Sequence, residues 1–148
     1  MASAIITGEG GLGKTHTVLK ALRDSGLTDI TELDGIEPGT VIKNAYKVIK
    51  GYSTAKGLYI NLFENKNNIV VFDDCDSVLK DPDAVNILKG ALDSYSKRVI
   101  TWSSAIREDD IPRTFRFEGG VIFVSNMTRD RIDQAIRSRS INVDLTMT

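Results

Sequence analysis

"GEGGLGKT", residues Gly8 to Thr15, stands almost at the start of the chain, just behind the apolar run Ala4-Ile5-Ile6. Four glycines in eight positions weaken any regular element, so their density calls for a backbone reason. The stretch satisfies G-x-x-x-x-G-K-[ST], with a β-prone run before it and an amphipathic run after it, the context a phosphate-binding loop requires. Glycine lets successive N–H groups turn inward around phosphate oxygens, and the positive end of the following helix adds to the attraction. Lys14 supplies a movable positive charge for β- and γ-phosphates, and Thr15 a hydroxyl for the magnesium ion that accompanies them. Gly8, Glu9, Gly10, Gly11, Leu12, Gly13, Lys14, Thr15 and His16 thus form the candidate cofactor-binding segment, in which His16 itself reads as a helix-surface residue.

Downstream of the loop, Thr15 to Ser25 carries Val18, Leu19 and Leu22 on one face and meets Gly26, which predicts a helix. Leu27 to Thr40 mixes acids, glycine and Pro38 without periodicity and reads as a connection with some irregular strand. AYKVIK (45–50) alternates as a strand does, and Ser53 is placed to cap a helix from Thr54 to Asn65. NIVVFDD (68–74) is a continuous apolar run ending in two acids, the pattern of a strand buried on both faces with a polar site at its end. Asp81 and Pro82 open a further helix, whose Ala84, Val85, Leu88, Ala91, Leu92 and Tyr95 keep helical spacing. GVIFVSN (120–126) reads as a second buried strand. Between the two, residues 98–119 have alternating ends suited to a small antiparallel ribbon. TRDRIDQAIRSRS (128–140) holds a short helix and INVDL (141–145) a last strand.

Strands alternating with helices predict an α/β fold, a three-layer sandwich whose mainly parallel sheet is covered on both faces. Ligands of such sheets bind beyond the carboxyl ends of the strands. The glycine loop, Asp73-Asp74 and Ser125-Asn126 all sit at such ends, so they converge on one edge. Asp73 is placed to hold the magnesium ion, through a water, and Asp74 to orient or deprotonate an attacking water. Asp76 reads as a turn cap.

Composition bounds the rest. A chain of 148 residues fits one domain with a real core, since that size buries roughly 68–70% of the unfolded surface. The net charge of -1 gives no general bias toward polyanions, so any nucleic-acid contact must be local. No run approaches the roughly 18 apolar residues of a membrane span, and the start lacks the pattern of a secretion signal. Cys75, the lone cysteine, fits a reducing compartment, so the expected location is the cytoplasm.

GEGGLGKT, IVVFDD, VIFVSN and IDQAIRSRS, in this order and spacing, resemble the core of AAA+ ATPases over nearly the whole chain, residues 1–148. The first two stretches are common to many phosphate-loop proteins, so the specific part of the likeness lies in the last two. The resemblance implies a five-stranded sheet ordered 5-1-4-3-2, with ATP and Mg2+ as cofactors. Asn126 then corresponds to the sensor-1 residue that helps position the hydrolytic water, and Arg139, with Arg137 second, to an arginine finger acting in trans on a neighbouring subunit. Such an arginine is worth around 10³–10⁵ in rate. The implied assembly is a homo-oligomeric ring, with a hexamer as one candidate. The alternative reading of Arg131, Arg137 and Arg139 is that they offset the negative end of a helix dipole, about 0.3–1 kcal/mol each.

Three departures from the family pattern stand out. Asp74 replaces the usual glutamate and is one methylene shorter, which points to slow hydrolysis. The helical lid and its sensor-2 arginine are expected to be absent from this chain. The turn around Gly51-Tyr52 lacks the pore tripeptide of protein unfoldases. The ribbon segment gathers Arg98, Trp102, Arg107, Arg113, Phe115, Arg116 and Phe117, which suits base stacking and phosphate contact, yet TFRFEG equally suits a half-buried strand. The expected function is a magnesium-dependent ATPase core of an oligomeric motor acting on nucleic acid or on a protein. The alternatives are a monomeric phosphate-loop kinase and a nucleotide-dependent binding module without turnover.

Overall fold

Residues 4–7, 69–73 and 120–124 have apolar side chains to bury in both directions, and they form the middle of the sheet. The computed structural model describes residues 3–8, 13–32, 44–51, 54–92, 99–101, 112–127, 131–132, 134–138 and 141–144. Along the chain run β1 (Ala4–Thr7), α1 (Lys14–Asp24), β2 (Thr28–Asp29), β3 (Ala45–Lys50), α2 (Ala55–Glu64) and β4 (Ile69–Asp73). A 3-10 helix (Asp76–Lys80) comes next, then α3 (Pro82–Leu92), β5 (Val99–Thr101), β6 (Thr114–Arg116), β7 (Gly120–Val124), α4 (Gln134–Ser138) and β8 (Ile141–Asp144).

The main sheet is ordered β2-β3-β4-β7-β1-β8, with every neighbouring pair parallel. Apart from the two-residue β2 at one edge, its strands counted along the chain lie 5-1-4-3-2, as the resemblance implied. β5 and β6 make a separate antiparallel ribbon just before β7, with Ile100 opposite Phe115.

Alternation along each strand divides the core between two faces. Ile5, Val70, Phe72, Val121 and Phe123 pack with Leu58, Tyr59 and Leu62 of α2, the apolar side of α3, and Ile136 of α4. Ile6, Val71 and Val124 point the other way, to Val18 and Leu22 of α1. Each such buried side chain contributes about 1.5–3 kcal/mol over exposure. Phe72 and Phe123 stand side by side in the register of β4 and β7, ring centres 5.9 Å apart, and so lock these two strands at the level where the sheet ends.

α2 starts one residue later than the sequence suggests. Thr54 holds the cap position and its hydroxyl accepts the Gly57 N–H at 3.0 Å, so the role expected of Ser53 falls to its neighbour; Ser53 itself lies outside the described residues. At the opposite edge of the sheet the chain approaches itself closely. A Cβ on Gly119 would meet the Asn68 carbonyl oxygen at 1.9 Å, while the Gly119 N–H donates to Lys66 O at 2.8 Å, so only glycine fits where the ribbon turns into β7.

Candidate functional site

Because the strands are parallel, their carboxyl ends share an edge, and the register fixes what stands there. Ile6 of β1 pairs with Val124 of β7, and Val124 with Asp73 of β4, so the three are level. Gly8, Asp74 and Ser125-Asn126 follow the last residues of β1, β4 and β7 and so stand at this edge. Lys50 ends β3 in register with Asp73.

The start of α1 is built unlike an ordinary helix start. Its cap residue Gly13 has φ 120° and ψ -15°, a conformation that L side chains rarely adopt. No side chain caps the helix and no acid stands in its first turn. An added Cβ on Gly13 meets nothing within 4 Å, so glycine is required there by backbone conformation and not by crowding. Lys14, the first helical residue, is buried, and its Nζ donates to the Gly8 carbonyl at 3.1 Å, across the base of the glycine loop. Glu9, Gly10, Gly11 and Leu12 lie outside the described residues. His16 is exposed on α1, as expected of a helix-surface residue.

Thr15 makes the long-range contact of the site. Its Oγ1 donates to Asp73 Oδ1 at 2.8 Å, between residues 58 apart in sequence, and so joins the start of α1 to the end of β4 across β7. A hydroxyl and a carboxylate held together at a helix start are hard oxygen donors of the kind Mg2+ takes. Among the described residues no group of three or more His, Cys, Asp and Glu could hold a metal. Lys50 Nζ lies 4.0 Å from Asp73 Oδ2 on the outer side, an exposed pairing of small energetic weight.

Asp74 is exposed and has φ 58°, one of two non-glycine residues with positive φ among those described, the other being Asn44. Aspartate tolerates this region better than most residues, and the bend swings its carboxylate off the line of β4. Behind it Cys75 is buried, its Sγ near the Ile49 and Asp73 carbonyls at 3.5 and 3.4 Å. Burial first, then the negative charge of Asp73, Asp74 and Asp76, pushes the thiol up to about 11. It stays protonated at neutral pH and is no nucleophile.

Asp76 does more than the turn cap expected of it. It opens the 3-10 helix, and its Oδ2 accepts the Asn126 N–H at 3.2 Å. No sequence periodicity announces this contact between residues 50 apart. Asn126 is exposed just beyond β7, the strand between β1 and β4. Arg137 sits half-buried in the last turn of α4 and is engaged there, whereas Arg139 lies outside the described residues.

Phe115 and Phe117 of the ribbon segment are turned into the core. Phe115 packs edge-on against Tyr59 and Phe63 of α2 at 5.1 and 5.3 Å, Phe117 is buried, and Tyr59 OH donates to Pro112 O at 2.5 Å. Neither phenylalanine is free to stack on a base. Arg113 and Arg116 are exposed, Arg116 lying 3.5 Å from Glu118, while Arg98, Trp102 and Arg107 lie outside the described residues. Among the described residues no helix is long and apolar enough to cross a membrane.

The fold and this edge define an α/β protein with a parallel sheet and a polar cluster at its carboxyl ends. No family model matches the chain. It is 35% identical over 158 aligned positions to an uncharacterized 36.7 kDa protein in the nrdC-mobD intergenic region of Enterobacteria phage T4, a match covering 97% of this chain. The chain spans 44% of that protein's length.

Proposed function

We propose that the chain binds ATP with Mg2+ at the start of α1 and hydrolyses it as the core of an AAA+ assembly. One observation carries this reading: the 2.8 Å hydrogen bond from Thr15 to Asp73, which brings the hydroxyl of the glycine-loop pattern to the carboxylate that ends β4. The glycine-loop pattern and the acidic end of β4 thus meet atom to atom.

In this reading Lys14 leaves the Gly8 carbonyl for the β- and γ-phosphates, and the glycine-loop N–H groups surround their oxygens. Thr15 and Asp73 would hold the magnesium ion. When bound, the ion neutralises charge on the β- and γ-phosphate oxygens. Asp74 orients or deprotonates the attacking water, Asn126 helps to position it, and Arg139 of a neighbouring subunit stabilises the charge of the transition state. A ring, with a hexamer as one candidate, brings that arginine into place. The motor's substrate is nucleic acid or a protein. With Phe115 and Phe117 committed to the core, a nucleic-acid contact would rest on exposed Arg113 and Arg116, with Arg98, Trp102 and Arg107 lying outside the described residues.

The competing monomeric kinase or binding module needs no partner arginine. Turnover measured against protein concentration separates the readings, because activity per chain rises steeply if the finger acts in trans and stays flat otherwise. In the same assay Arg139→Ala lowers turnover by about 10³-fold while nucleotide affinity stays near wild type. Loss of affinity in its place would remove Arg139 from this role.

A further inference from the structure

Three consecutive amides at the tip of β7 are each held by a different group. The Ser125 N–H donates to Ile6 O of β1 at 2.8 Å, and the Met127 N–H to the Ser125 hydroxyl at 3.0 Å. Between them, the Asn126 N–H has run past the ladder and finds the Asp76 carboxylate at 3.2 Å. Asp76 comes from the turn that leaves β4, so its side chain ties the exit of β4 to the exit of β7.

Among the described residues the second oxygen of the same carboxylate is shielded from solvent and accepts no hydrogen bond. An unpartnered, shielded carboxylate oxygen opposes folding. The carboxylate's described hydrogen bond is the one to the Asn126 N–H, so its contact with the tip of β7 is what offsets that cost.

We infer that Asp76 is a positioning residue for turnover: by holding the Asn126 main chain it aims the Asn126 side chain at the reacting water, without touching nucleotide itself. This rests on the hydrolytic role proposed for Asn126. A charged acceptor suits the task because an N–H bonded to a carboxylate is held more tightly than one bonded to a neutral oxygen. Losing that hold lets the amide side chain wander on the scale at which misplacement costs about 10²-fold.

The test is a double-mutant cycle on ATP turnover with nucleotide affinity measured in parallel, using Asp76→Ala, Asp76→Asn and Asn126→Ala. Asp76→Ala is expected to lower kcat about 10- to 100-fold with ATP affinity unchanged. Asp76→Asn, which keeps an oxygen for the Asn126 N–H, recovers part of the loss. In the Asn126→Ala background Asp76→Ala adds nothing further, because the side chain it aims is gone. Amide hydrogen exchange at Asn126 is faster in Asp76→Ala than in wild type. Equal losses in both backgrounds, a parallel fall in affinity, or unchanged exchange at Asn126 would overturn the inference. If the active wild type and Asp76→Ala turn over alike, this inference alone fails. If the folded wild type hydrolyses no ATP at any concentration, the hydrolytic reading fails and this role falls with it.

Discussion

The start of α1 and the start of α3 are two answers to one physical problem. Every helix begins with N–H groups that have no partner inside the helix. α3 closes its own: Asp81 Oδ1 accepts the Asp83 N–H at 3.0 Å, Pro82 at the first position has no N–H to satisfy, and Asp83 adds an acid to the first turn. α2 does the same with Thr54. α1 forgoes a side-chain cap, excludes acids from its first turn, and puts a buried lysine there. A cap is worth typically about 1 kcal/mol, so α1 forgoes that stabilisation, and under the proposed function its positive end is left open for an anion.

That contrast can be broken most severely at Lys14. Lys14→Ala is expected to weaken Mg·ATP binding about 10- to 100-fold, the worth of a hydrogen bond to a charged group, as measured by calorimetric titration. Unchanged affinity with lost activity would contradict the role given to this lysine. The reverse experiment is milder. Asp81→Ala is expected to lower unfolding stability by about 1 kcal/mol in a denaturant titration and to leave nucleotide affinity untouched. If it weakened binding as Lys14→Ala does, the two helix starts would not have the separate purposes assigned to them.

The smallest effect is confined to alkaline pH. Burial raises the Cys75 thiol from 9.0 to about 11 and the Tyr59 hydroxyl from 10.0 to about 12. Both groups are neutral when protonated and ionise at higher pH in the folded chain than in the unfolded one. Their stabilisation is therefore complete below pH 9.0 and is lost as pH rises through about 11 and then about 12. Unfolding midpoints should hold steady from neutral pH to about 9 and decline above it. Cys75→Ala should flatten the first part of that decline.

Much of this was legible in the sequence because it depends on local pattern. Continuous apolar runs marked β4 and β7, and Asp81-Pro82 marked the start of α3. The strand order came with the resemblance, since no run of residues states which strand lies beside which. Contacts between distant side chains had no such signal. The alternation of Phe115 and Phe117 gave them a shared face but could not tell a core from a channel; Tyr59 and Phe63 of α2 decide that. Asp76 reads as a turn residue until β7 arrives beside it, because its partner is a main-chain N–H that every residue but proline possesses. The two-residue β2 is too short to carry a period at all.

Calorimetric titration of ATP into the folded wild-type chain, with and without Mg2+, tests the central claim most directly. The account predicts saturable binding that is strengthened by the ion and weakened when Thr15 or Asp73 is replaced by alanine. No heat of binding with both ATP and Mg2+ present would contradict it.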